Sequence, residues 1–104
     1  MKTTKAEISK IFAELRKYNF LVYNFNQKNR FGRGLVGFVD HLIIGKNRIW
    51  FIEVKIGKDM LSREQIDLLT RLKAIGKKFP MVEWSIVTHV EFARKLQEQI
   101  LSIG

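Results

Sequence analysis

Residues 49–56 read Ile49-Trp50-Phe51-Ile52-Glu53-Val54-Lys55-Ile56. The run is β-branched and aromatic, too short for a buried helix, and bounded by turn residues on both sides, so it is a strand. Side chains alternate along a strand, which puts Ile49, Phe51, Glu53 and Lys55 on one face and Trp50, Ile52, Val54 and Ile56 on the other. The second face is apolar throughout. The first begins apolar and ends in a carboxylate and an ammonium. Charges inside so hydrophobic a segment cost free energy unless they are paired or bind a cation, which marks Glu53 and Lys55 as candidate site residues.

Working outward, Gly45-Lys46-Asn47-Arg48 is short enough to join residues 49–56 to a preceding strand over residues 35–44 as a hairpin. That strand carries Asp40 among Phe38, Val39, Leu42, Ile43 and Ile44, and the hairpin can set Asp40 beside Glu53 if the register agrees. Upstream, Ile8, Ile11, Phe12, Leu15 and Tyr18 recur at helical spacing over residues 4–18, and residues 19–25 read as a further strand. Downstream, Ser62 starts a helix whose apolar stripe is Ile66, Leu69 and Leu72, with Gly76-Lys77-Lys78 as its stop signal. Residues 81–88 form a fourth strand, and Thr88 with Glu91 makes a capping box before a last helix running towards Ile100. The order α-β-β-β-α-β-α implies an α/β fold with a mixed sheet flanked by helices.

The chain has 104 residues, enough for a single domain with one core. Its 19 Lys and Arg against 10 Asp and Glu leave a formal charge of +9, which favours a polyanionic partner such as a nucleic-acid backbone. No basic amphipathic helix with aromatic anchors argues for a membrane surface, and no apolar run is long enough for a span or a signal peptide. The absence of cysteine excludes disulfides, thiolate metal sites and thiol nucleophiles, and suits a reducing cytoplasm.

Two carboxylates at close range repel, and a hard cation such as Mg²⁺ holds them ionised. With a phosphodiester bound, such a cation neutralises phosphoryl charge and acidifies a water, while Lys55 orients that water or stabilises developing negative charge. Glu-x-Lys by itself is weak, occurring by chance in on the order of one in three chains of this length. The competing reading of Asp40, Glu53 and Lys55 is a structural ion pair at a sheet edge.

Taken together, Gly37-Phe38-Val39-Asp40, Phe51-Ile52-Glu53-Val54-Lys55 and Leu61-Ser62-Arg63-Glu64-Gln65 resemble the PD-(D/E)xK nuclease superfamily, and its VRR-NUC branch in particular. The resemblance spans from Glu7 to the fourth strand and implies a restriction-endonuclease-like α-β-β-β-α-β core, followed here by the extra C-terminal helix. One departure is Val39, where the branch usually has proline before the aspartate; that proline shapes the strand entry and supplies no chemistry. The resemblance makes Asp40, Glu53 and the Val54 backbone carbonyl ligands of Mg²⁺, or of Mn²⁺ as a substitute, and Lys55 the catalytic lysine. It also assigns a site role to Glu7 on the first helix, with Glu14, seven residues on, as its rival for that edge of the helix. Gln65 has two uses that compete for one side chain, capping the helix at Ser62 and pointing into the site.

Lys28, Arg30 and Arg33, with Lys58 and Arg63, are candidate phosphate contacts, and Phe31 a candidate for stacking on a splayed base. Lys46, Arg48, Lys77 and Lys78 are further cations without an assigned common face. His41 and His89 are treated as ordinary, His41 pointing to the strand face opposite Asp40. The expected activity is metal-dependent endonucleolytic hydrolysis of DNA, and the resemblance implies 5′-phosphate and 3′-hydroxyl ends as products. A structure-specific enzyme for branched or flapped DNA suits a lone catalytic domain with little surface for reading base edges. A Holliday-junction resolvase proper would act as a homodimer with two-fold symmetry. The rival from another class is a non-catalytic DNA-binding module on the same fold.

Overall fold

The computed structural model describes residues 4–25 and 37–103. Helix α1 spans Lys5–Ala13 and tightens into a 3-10 turn over Glu14–Tyr18. Strand β1 is Leu21–Asn24, β2 is His41–Ile44 and β3 is Ile49–Val54. Helix α2 runs over Arg63–Lys78, β4 over Val82–Val87 and α3 over Val90–Ile103. The four strands lie in the order β1-β2-β3-β4. The pairs β1-β2 and β2-β3 are antiparallel, whereas β3 and β4, joined through the α2 crossover, are parallel. The α/β class, the mixed sheet and the element order therefore match the sequence reading.

The alternation in β3 divides the molecule. Val22, Ile43, Trp50, Ile52, Val54 and Val87 point to one side, where Ile8, Ile11, Phe12 and Leu15 of α1 and its 3-10 turn and Ala93, Leu96 and Ile100 of α3 close the main core. On the other side α2 packs along β4, burying Leu69 and Leu72. Among the described residues, no helix is long and apolar enough to cross a membrane.

Several boundaries differ from expectation for local reasons. Asn19 takes a left-handed φ of 69° to cap the 3-10 turn, so β1 starts at Leu21 rather than at residue 19. Residues 37–40 turn and bend instead of extending β2, with Gly37 at φ 81°. Gly76 does not end α2. A Cβ there would stand 3.1 Å from the Val82 carbonyl oxygen, so the glycine serves close packing of helix on strand and the helix continues to Lys78. At α3 the capping box of Thr88 and Glu91 does not form. His89 caps instead, its Nδ1 accepting from the Phe92 N–H at 3.1 Å.

Candidate functional site

The β2-β3 register pairs His41 with Ile52, so the next pair along the hairpin is Asp40 with Glu53. The short 45–48 connection fixes this register and brings the Asp40 carboxyl close enough to raise the pKa of Glu53. Asp40 Oδ2 also accepts from the Val54 N–H at 2.9 Å, and the same N–H reaches Glu53 Oε1 at 3.2 Å. The Lys55 N–H bonds the Val87 carbonyl at 2.9 Å, extending the β3-β4 ladder by one residue. Lys55 thus follows Glu53 on the same face, and its charge favours the ionised form of Glu53.

Glu53 is only 1% exposed. Burial pushes its carboxyl up to about 8, the hydrogen bond and the charge of Asp40 push the same way, and Lys55 with the Val54 N–H offsets part of the shift. Without a cation Glu53 keeps its proton below that pH, and a divalent ion bound beside Asp40 would displace it.

Gln65 resolves its two competing uses by employing both ends of its amide. Its Oε1 accepts from the Ser62 N–H at 2.9 Å while the Gln65 N–H bonds Ser62 Oγ at 3.1 Å, completing a capping box. Its Nε2 donates to Glu53 Oε2. The first turn of α2 is thereby tied to the carboxyl pair. Gly37 holds the same turn from the other side, since a Cβ there would collide with the Cβ of Glu64. The left-handed φ of Gly37, three residues before Asp40, suits a glycine and lets this close approach form.

Glu7 does not join this group. It sits in the first turn of α1, the helix that packs on the opposite face of the sheet, and its carboxylate accepts from the Thr4 hydroxyl at 3.2 Å. Glu14 accepts from Gln97 Nε2 at 3.1 Å and stands equally apart. Among the described residues, no three His, Cys, Asp or Glu side chains gather closely enough to hold a cation between them. Any further ligands besides the Asp40 and Glu53 side chains would come from the backbone, water or substrate. Lys58 is exposed in the turn after β3 and Arg63 at the start of α2. Lys28, Arg30, Arg33 and Phe31 lie outside the described residues.

His41, set aside in the sequence reading, proves to be a buried polar centre on the α1 side. It is 1% exposed, its Nε2 lies 3.1 Å from Ser9 Oγ, and Asn24 Nδ2 donates to the same hydroxyl at 3.3 Å. Burial lowers its pKa to about 4, opposed by Asp40 and reinforced by Lys5. Among the described residues its Nδ1 has no hydrogen-bond partner. The neutral tautomer with the proton on Nε2 fits best, because an orphaned acceptor costs less than a buried N–H without a partner.

No protein-family model matches the chain, and neither a curated protein nor a solved structure is similar to it.

Proposed function

We propose that this chain is a divalent-cation-dependent nuclease of the PD-(D/E)xK type, close to the VRR-NUC branch, that hydrolyses DNA phosphodiester bonds. The observation that carries the reading is the Asp40-Glu53 pair, set side by side across the hairpin on a shared Val54 N–H, tethered by Gln65 and followed by Lys55 on the same face. A structural ion pair needs one carboxylate and one cation; a second carboxylate beside the buried Glu53 only adds repulsion.

Asp40 and Glu53 would hold Mg²⁺ or Mn²⁺, which supplies charge neutralisation at the phosphoryl group and a more acidic water. The Val54 carbonyl would be the chain's third ligand, since a strand residue directs its N–H and C=O to the same side and the Val54 N–H already faces Asp40. The protein holds Asp40 Oδ2 through the Val54 N–H and both oxygens of Glu53, Oε1 through the same N–H and Oε2 through Gln65, so that the pair is pre-oriented. Lys55 holds a proton-rich ammonium where it orients the attacking water or meets negative charge growing on the phosphate. Lys58, Arg63 and the overall charge of +9 supply backbone phosphate contacts. Branched or flapped DNA is the proposed substrate, with a homodimer where two strands are cut symmetrically, as a Holliday-junction resolvase requires.

The near-complete burial of Glu53 favours a second reading, in which the carboxyl pair is structural and the domain binds DNA without cutting it. Incubation with linear, flapped, single-stranded and four-way-junction DNA in Mg²⁺, in Mn²⁺ and in EDTA separates the two. The nuclease reading expects cation-dependent cutting of at least one substrate, lost in Asp40→Ala; binding to all with cutting of none would leave only the second reading.

A further inference from the structure

Cations that have no common face in the sequence acquire one at the far end of α2. Arg48, which closes the 45–48 connection, meets Lys73 and Lys77 of α2 around an open pocket of about 380 Å³, walled also by Pro80, Glu83 and Trp84. Gly76 lets the helix close on β4 at this point, which brings the lysines and the arginine to one place. Gln65, tied to the carboxyl pair, lies at the other end of the helix, twelve residues before Lys77 and thus roughly 18 Å away along its axis. Phe25, whose N–H bonds the Asp40 carbonyl, and Gly37, packed on Glu64, flank residues 26–36 at that other end, and every residue lining the pocket is a described one.

The guanidinium of Arg48 is anchored through one nitrogen. Its Nη1 donates to the Pro80 carbonyl at 2.9 Å and to the Glu83 carboxylate at 2.7 Å, while Nε and Nη2 have no partner among the described residues. One edge of a pre-oriented fork is therefore left for an anion with paired oxygens. Lys73 and Lys77 are exposed, one helical turn apart, and without an acidic partner among the described residues. Like charges at that spacing repel, and an anion between them relieves the repulsion. Glu83, the single acid of the lining, is already engaged by Arg48.

We propose that this pocket is a second phosphate-binding site, which holds a backbone phosphate of a nucleic-acid strand through Arg48, Lys73 and Lys77. The inference rests on the nucleic-acid reading above and adds a point of attachment remote from the carboxyl pair. At about 3.4 Å of axis per nucleotide, the length of α2 sets the held phosphate at least about five nucleotides from the one at Asp40 and Glu53. Two features favour a nucleic-acid strand as the occupant. Trp84 stands beside the cations, a flat apolar wall for the sugar or base that a backbone phosphate carries and a free inorganic anion lacks. The formal charge of +9 disfavours a second copy, which would bring cations against cations.

Binding of a fluorescein-labelled duplex of about 20 base pairs, followed by anisotropy over a range of salt in EDTA so that nothing is cut, tests this directly. The double variant Lys73→Gln/Lys77→Gln is expected to bind about tenfold more weakly near 0.1 M salt and to flatten the plot of log affinity against log salt by roughly one to two. Lys73→Arg/Lys77→Arg should keep the wild-type affinity. Arg94→Gln/Lys95→Gln removes the same charge from exposed positions of α3, on the other face of the sheet, and should stay within about twofold of wild type. Matching urea midpoints check the fold of all three. Equal losses in the two glutamine variants, or no loss in Lys73→Gln/Lys77→Gln, overturn the inference. So does binding of inorganic tripolyphosphate or of an oligoglutamate peptide that depends on Lys73 and Lys77 and is as tight as that of the duplex, because the pocket would then take a free anion or an acidic protein segment. Duplex binding that depends on the two lysines, in a protein that cuts nothing in Mg²⁺, would keep the pocket and refute the nuclease. Cutting with duplex affinity independent of them would do the reverse.

Discussion

Glu53 and His41, neighbours on opposite faces of one hairpin, give the protein a stability profile whose shape follows from their shifts. In the unfolded chain Glu53 ionises near 4.5, whereas in the fold its carboxyl keeps its proton up to about 8. Between these values raising the pH favours the unfolded state, at about 1.4 kcal/mol per pH unit for one proton. His41 behaves oppositely. It takes a proton near 6.5 when unfolded and only at about 4 when folded, so lowering the pH through this window favours unfolding. Where the windows overlap, between 4.5 and 6.5, the two slopes cancel. Above 6.5 Glu53 acts alone, and the loss on going to pH 8 approaches about 2 kcal/mol, or roughly 10 °C in the melting temperature of a domain this small. Urea titrations in EDTA at pH 5.5, 6.5 and 8 measure the effect. The wild type should be level between the first two and weaker at the third, while Glu53→Gln, which keeps the shape and hydrogen-bonding capacity, should not weaken above 6.5. The same fall in Glu53→Gln as in the wild type would show that Glu53 is not the group that titrates.

Four further outcomes follow from the same geometry. At pH 8, Mg²⁺ or Mn²⁺ at a hundredfold excess over its dissociation constant should restore about 2.7 kcal/mol to the wild type and nothing to Glu53→Gln, measured by the same titrations. Ser62→Ala removes only the cap of α2 and should cost about 1 kcal/mol, whereas Gln65→Ala also strips Glu53 of its donor and should cost roughly 1–3 kcal/mol. In single-turnover cleavage, Gln65→Ala should be about tenfold or more slower and Ser62→Ala close to wild type, because only the former frees a cation ligand to turn. Gly37→Ala should destabilise by roughly 2–4 kcal/mol, since it adds a collision with Glu64 to a left-handed backbone, while Gly57→Ala, at φ 63° in open space, should cost about 1 kcal/mol by urea midpoint.

The features legible in the sequence were those set by short-range rules. The alternation of residues 49–54 assigned every side chain of β3 to its face, and the brief Gly45-Arg48 connection made a hairpin legible, while the register that sets Asp40 beside Glu53 was left to the structure. Ser62 at the start of α2 followed from capping chemistry. What escaped depended on how elements dock. Gly76 read as a helix stop because its contact with Val82 is tertiary, and His89 displaced Thr88 as a cap because its imidazole accepts the Phe92 N–H, one residue beyond the Glu91 N–H that Thr88 would have taken. Gln65 was set between two roles because a sequence does not reveal that Glu53 lies within reach of the other end of its amide. Glu7 was placed by resemblance, and the docking of α1 on the far side of the sheet keeps it from the pair.

In the proposed nuclease Asp40 and Glu53 would hold a divalent cation that activates the attacking water, with Lys55 beside it. Single-turnover cleavage of labelled flapped or junction DNA in Mn²⁺, with anisotropy run in parallel, tests it most directly on wild type, Glu53→Ala and Lys55→Ala. The account predicts cutting by the wild type that EDTA abolishes, and loss of cutting in both variants while DNA affinity stays within a few-fold, since the phosphate contacts come from the basic surface. Undiminished cutting by a folded, purified Glu53→Ala protein would contradict it.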